Sequence, residues 1–156
     1  MAGAGTIKIG AGVFGAALLA FVSLSAAAED KAPIIDKPFA DHHLALQLSD
    51  NDPKKQALTL SVANNLLKYY GPDRIAIEVV TFGPGVDLVR AGSPHRAEVD
   101  SLISQGVQFD VCMNTVDTIE RETGKKVDLN PRAVKVVAGV AQILALTEKG
   151  FTLVRP

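Results

Sequence analysis

The chain of 156 residues has one cysteine and no block of like charge, and each shortage removes a class of protein. A single cysteine cannot close an internal disulfide, so stability has to come from a packed core, and the thiol is either buried and inert, free and reactive, or paired between chains. A formal net charge of -1 with acids and bases scattered leaves no basic face for nucleic acid, which is not an expected partner. Neither a G-x-G-x-x-G fingerprint nor a Walker lysine is present, so the one glycine-rich loop, Gly83-Pro84-Gly85, reads as a tight turn and not a phosphate cradle. The acidic cluster Asp50-Asn51-Asp52 lacks the longer ligand pattern of a calcium loop. His42 and His43, adjacent in a strand, point to opposite faces. No metal and no cofactor is expected.

The N-terminus differs from the rest of the chain. Lys8 is its only charged side chain before Glu29, residues 9–24 are small and apolar, and Ala26-Ala27-Ala28 precedes Glu29-Asp30. That layout predicts a secretory signal peptide over 1–28, cleavage after Ala28, and a periplasmic or secreted product with no stable membrane insertion once cleaved. The rival reading is a retained anchor. It is weakened because the apolar run falls short of the roughly 20 residues a spanning helix needs and is diluted with glycine and alanine. Residues 29–41, with Pro33, Pro38, several charges and no apolar period, read as a flexible arm or linker. Residues 42–156 suffice for one core, with 47% hydrophobic and 21% charged residues in the whole chain.

Within 42–156, strands and helices alternate. A first strand, 42–48, is followed by Asp52 as N-cap and Pro53 at the first helical position. The helix runs to about Tyr70 with Ala57, Leu60, Ala63, Leu67 and Tyr70 as its buried stripe, and Gly71-Pro72-Asp73 stops it. Residues 75–82 are the clearest strand. Short helical pieces are expected over 86–91 and from Ser93 to about Gln105, the latter with Ala97, Leu102 and Ile103 inside; His95 reads as solvated. A strand at 107–113 runs into a helix ended by Gly124, with Asn114 and Thr115 as candidate N-caps. A strand at 133–138, a helix at 139–149 with Val140, Ile143, Leu144 and Leu146 as its apolar set, and a last strand at 151–154 complete the chain. This alternation predicts a three-layer α/β domain with a largely parallel sheet.

In such sheets ligands gather at the carboxyl ends of the strands. The rule brings together Ser49, Asp50 and Asn51, the Gly83, Pro84 and Gly85 loop, and Cys112 with Asn114 and Thr115. Cys112 is the candidate catalytic residue, because a thiol at a helix N-terminus meets free N–H groups and the positive end of the helix dipole and ionises more readily. The other eight are candidate binding residues. No acid–base partner adjoins the cysteine in sequence, so the chemistry expected is transfer at sulfur and not acyl hydrolysis.

Leu46-Gln47-Leu48-Ser49-Asp50, Val79-Val80-Thr81-Phe82-Gly83-Pro84-Gly85, Gly106-Val107-Gln108-Phe109, Cys112-Met113-Asn114-Thr115 and Ala138-Gly139-Val140 together resemble the DsrE/DsrF-like (DsrEFH) sulfur-relay proteins over nearly all of 42–156. The resemblance implies a flavodoxin-like three-layer α/β/α fold with a mostly parallel sheet of about five strands. It also implies homo-oligomers, trimers or hexamers, and a persulfide relay through a cysteine, with Cys112 at the cysteine of a C-x-N-[ST] motif. Met113 stands where a small residue is common, Asp110 puts a carboxylate in the strand, and the export signal removes the chain from a cytoplasmic relay. The leading expectation is an exported persulfide carrier or sulfurtransferase-like protein working with a sulfur donor or acceptor protein. The alternative is a non-catalytic oligomeric binding module for a small ligand or partner protein. A scaffold held at the membrane follows only if the signal is retained.

Overall fold

The run 75–82 becomes the centre of the sheet. Strand β2, Ile75–Thr81, is buried at every position, as a strand covered on both faces must be, and its continuous apolar character is interrupted only by Glu78 and Thr81. The computed structural model describes residues 34–156 and, apart from them, only Met1 and Gly3, so the signal peptide read over 1–28 and residues 29–33 of the predicted arm lie outside the described residues.

Around β2 lie β1 (His42–Leu48), β3 (Val107–Cys112), β4 (Val134–Val136) and β5 (Thr152–Val154), in the order β4-β3-β2-β1-β5 with every pairing parallel. The helices α1 (Pro53–Tyr70), α2 (Arg96–Ser104) and α3 (Met113–Thr123) follow β1, β2 and β3, each connecting to the next strand in one direction across the sheet. Right-handed crossovers put all three on one face. The step from β4 to β5 returns across the sheet, so α4 (Gly139–Glu148) falls on the other face. The result is a three-layer α/β/α domain of flavodoxin-like architecture with a five-stranded parallel sheet.

The two faces bury different residues. Leu44, Leu46 and Leu48 of β1, Ile77 and Val79 of β2, and Phe109 and Val111 of β3 join Leu60, Ala63, Leu67, Val99, Leu102 and Val116 from the three helices in the larger core. On the opposite face Ala45, Ala76 and Val80 pack with Ile143 and Leu146 of α4 and with Phe151.

Most element boundaries match the sequence expectation, but several helices turn a different face inward. Asp52 caps α1 by accepting from the amides of Lys54 and Lys55, and Gly71 closes the helix at φ 88°, where a side chain would be strained. The buried stripe, however, is Gln56, Thr59, Leu60, Ala63 and Leu67, while Ala57 and Tyr70 are exposed. Thr59 tolerates burial because its hydroxyl donates to the Lys55 carbonyl (2.9 Å). In α2 it is Val99, not Ala97, that is buried with Leu102. The expected helical piece over 86–91 is a 3-10 turn, Gly83–Val89, that begins in the glycine loop itself. In α4 the inner residues are Gly139, Gln142, Ile143 and Leu146, whereas Val140 and Leu144 face outward.

The flexible-arm reading of 29–41 does not hold for its described part. Ile34, Ile35 and Ala40 pack on the α4 face of the sheet, and the Ile35 amide donates to Glu78 Oε1 (2.7 Å). Lys37 Nζ donates to the carbonyls of Pro72 (2.8 Å) and Ile75 (3.1 Å). One helix cannot cover this face, and the two isoleucines remove apolar sheet surface from water.

Candidate functional site at the carboxyl ends of the strands

Strand β3 alternates cleanly: Val107, Phe109 and Val111 enter the larger core, so Gln108, Asp110 and Cys112 face α4. The strand ends where the helix begins. Met113 is the first helical residue and Cys112 itself is the N-cap, at φ -70° and ψ 111°, without a side-chain capping hydrogen bond. Asn114 and Thr115 are therefore not the caps they were expected to be. They lie in the first turn, where the Asn114 amide and the Thr115 hydroxyl are engaged across the site. The Asn114 amide donates to the Val137 carbonyl (3.1 Å), and Thr115 Oγ1 accepts from the Gly83 amide (3.0 Å). Thr115 thereby joins the glycine loop to α3.

The glycine loop also meets the end of β1. The Phe82 amide donates to the Leu48 carbonyl (3.2 Å), and a Cβ on Gly85 would fall 2.2 Å from that same oxygen and 3.1 Å from the Ser49 amide nitrogen. Only glycine fits there, and Gly83, at φ 52°, is in the left-handed region. Pro84 pre-sets the turn between them. The three predicted segments do converge, through Ser49 to Gly85 and Gly83 to Thr115. The acidic cluster is otherwise engaged: Asp50 pairs with Lys55 (2.8 Å), Asp52 caps α1, and Asn51 is exposed. Among the described residues no three His, Cys, Asp or Glu side chains are grouped to hold a metal. The histidine rings part company, His42 against Tyr70 (centroids 4.0 Å apart) and His43 edge-on to Phe151 (5.2 Å), and His95 pairs with Glu98 (3.2 Å).

Cys112 is covered. It is 5% exposed, and a Cβ on Gly139 would lie 3.3 Å from its Cβ and 3.1 Å from that of Phe82, so the first residue of α4 rests on both. Because residue 139 is glycine, the helix end sits closer to the sulfur-bearing side chain than an alanine would allow. A groove of about 390 Å³ lies elsewhere, between α1 and α2, lined by Leu60, Asn64, His95, Glu98 and Ser101 among others.

A buried polar cluster shares the face with Cys112 and was not anticipated. Glu78 and Asp110 are both fully buried on adjacent strands. Glu78 accepts from the Ile35 amide through Oε1 and from Gln142 Nε2 of α4 (3.3 Å) through Oε2. Asp110 Oδ1 accepts from Gln108 Nε2 (2.9 Å), while Oδ2 has no donor. Burial, and then the charge of Glu78 beside it, push the Asp110 carboxyl up to about 8, and burial pushes Glu78 up as well. Near neutrality the pair retains a proton that an exposed aspartate would have lost. The sequence signal was a glutamate in the middle of the clearest strand and an aspartate in the next. Their meeting depended on the β2–β3 register, in which Glu78 is opposite Gln108 and Val80 opposite Asp110.

Fold and site together define a flavodoxin-like α/β/α protein with one thiol and a buried carboxyl pair beneath α4 and the 34–40 segment. No protein-family model matches the chain, and no curated protein does. Among solved structures it is similar to MTH1491 from Methanobacterium thermoautotrophicum, described as a protein of unknown function, with 29% sequence identity and a TM-score of 0.66 over 74% of this chain and 100% of that one. That likeness supports the fold and carries no activity with it.

Proposed function

We propose that the protein is an exported sulfur carrier that holds a persulfide on Cys112. The observation that carries this reading is the position of the thiol: it ends β3, caps α3, and is the one side chain in the strand-end cluster able to form a bond to sulfur. In the proposed step the thiol first gives its proton to solvent. The thiolate then attacks the outer sulfur of thiosulfate or a polysulfide; one S–S bond forms on Cys112, one breaks in the donor, and sulfite or the shortened polysulfide leaves with the electron pair. Transfer onward to an acceptor thiolate repeats the exchange, and no external oxidant is needed. Access requires the Gly139 end of α4 to move, since it rests against the side chain. The Ser49, Gly83–Gly85 and Thr115 segments would form the rim of the opened site. Mass spectrometry of the full chain after incubation with thiosulfate or polysulfide is expected to show sulfur added at Cys112; no adduct, where a known carrier is loaded, would remove the proposal.

The burial of the thiol favours a second reading, a non-catalytic oligomeric binding module. Val137, Val140 and Leu144 form an exposed apolar strip at 58%, 65% and 59% exposure, and Leu153, whose register with Ala45 turns it to the same side, is 41% exposed. A helix apolar on both sides is ordinarily covered on both. Assembly into a trimer or hexamer is the state the family resemblance implies. Light scattering showing only monomer would count against it, and on this reading Cys112→Ser leaves both assembly and binding unchanged. Export to the periplasm or medium is part of both readings and is tested by N-terminal sequencing of the exported product, expected to begin at Glu29.

A further inference from the structure

Burying a pair of carboxyls is costly unless they are hydrogen-bonded or keep a proton, and Glu78 and Asp110 are placed to hold the layer that covers Cys112. The Glu78 carboxyl binds two separate pieces of that layer at once: the 34–40 segment through the Ile35 amide, and α4 through Gln142. One turn earlier in α4, Gly139 rests on Cys112 and Phe82. Asp110 lies two residues before Cys112 on the same face, and its Oδ2, sealed from water and without a donor, has a place for a proton shared with Glu78.

We propose that the Glu78–Asp110 pair is a proton-held latch: while the two carboxyls share a proton, the 34–40 segment and α4 stay on the sheet, and loss of that proton releases both and uncovers Cys112.

The groups around the pair supply nothing to neutralise a second charge. From the N-terminal segment come Asp36 and Lys37, and Lys37 Nζ is bound to the Pro72 and Ile75 carbonyls. From β1 come His43 and Gln47, and Gln47 Oε1 accepts from Arg155 (3.2 Å). From α4 comes the neutral Gln142, its only charged residue being the exposed Glu148 at the far end. From β3 come Gln108 and Cys112, and from β4 Val134 and Val136, with Lys135 exposed. Two carboxylates side by side in this setting repel one another and are cut off from solvent, and the layer that must lift for water to reach the second charge is the 34–40 segment and α4, which lie directly over the pair. With the Asp110 carboxyl pushed up to about 8, the release falls on the alkaline side of neutrality. The latch concerns access to the thiol and stands whether or not that thiol carries sulfur.

The test uses the full chain and two readouts between about pH 6 and about pH 9, a window that spans the shifted carboxyl and excludes ordinary carboxylates. The first is hydrogen exchange at the Ile35 amide and in the first turns of α4, corrected for intrinsic exchange. The second is alkylation of Cys112 by iodoacetamide, relative to the urea-unfolded chain at the same pH. Protection is expected to fall by up to about tenfold per pH unit, the limit for one proton, with labelling rising in parallel. In Asp110→Asn both curves are expected to be flat. Glu78→Gln, which also removes the charge conflict, serves as the second variant should the first not fold. Unchanged protection in the wild type across the range, or the same pH dependence in the folded variant, overturns the latch. A thiol that is uncovered on schedule but never loaded by thiosulfate or polysulfide refutes the carrier and leaves the latch standing.

Discussion

The two faces of the sheet are built on opposite terms. Beneath α1, α2 and α3 the strands contribute leucine, isoleucine, valine and phenylalanine, and the buried side chains form one apolar cluster. Beneath α4 the same three strands contribute Gln47, Glu78, Asp110 and Cys112 alongside small or branched residues, and the cover is one helix and a short extended segment. A sheet with two equally apolar faces would be more stable. The difference indicates that the first face holds the fold together while the second carries polar groups at a cost in stability, as functional sites do.

The sharpest way to break this comparison is to damage the first face. Phe109→Ala is expected to cost about 3–5 kcal/mol, because the ring is fully buried in the larger core, and urea denaturation measures it. An effect below about 1 kcal/mol, the level of an ordinary surface change, would show that this face does not dominate stability.

On the second face a charge-removing change should have the opposite sign. A carboxyl whose folded value is raised, as Asp110 is, keeps its proton in the folded chain at a pH where the unfolded chain has lost it. Its contribution is complete below the ordinary value of 3.8 and is lost progressively as the pH rises toward about 8. Asp110→Asn is therefore expected to raise the melting temperature at and above neutral pH and to flatten its decline between acid and mildly alkaline pH. A variant less stable than the wild type at about pH 8, where the buried carboxyl costs most, would contradict this.

A smaller effect is expected where the faces share the strand-end cluster. Thr115→Val removes the acceptor for the Gly83 amide and is expected to cost about 1–2 kcal/mol, read from denaturant midpoints, with a gain in hydrogen exchange at Gly83. The least effect on the folded chain is expected on the outer side of α4. Leu144→Glu should change stability by less than about 0.5 kcal/mol if the chain is monomeric, and should lower the assembly mass by light scattering if the apolar strip joins copies.

Much of the architecture was legible from local pattern. Asp52-Pro53 and Gly71 bound α1, the 75–82 run marked β2, and the strand-to-helix switch at Cys112 was visible because capping, turns and apolar period depend on neighbours in sequence. The candidate site was half legible. Ser49, Gly83, Gly85 and Thr115 meet as expected, but Asn114 and Thr115 gave up the cap role because Val137 and Gly83 offered them other partners. Ile34 and Ile35 looked unstructured for the same reason that Val140 and Leu144 looked buried: which apolar residues find cover depends on which surface the folded sheet leaves open.

The sequence by itself determined the alternation of strands and helices, the ends of α1, and the placing of one thiol where β3 becomes α3, since all of these are set by interactions a few residues long. Only the tertiary structure decided that Gly139 covers that thiol and that Glu78 and Asp110, more than thirty positions apart, lie together with no exposed surface. Strand register and the return of the chain from β4 to β5 bring those groups into contact, and neither leaves a trace in a local run of residues.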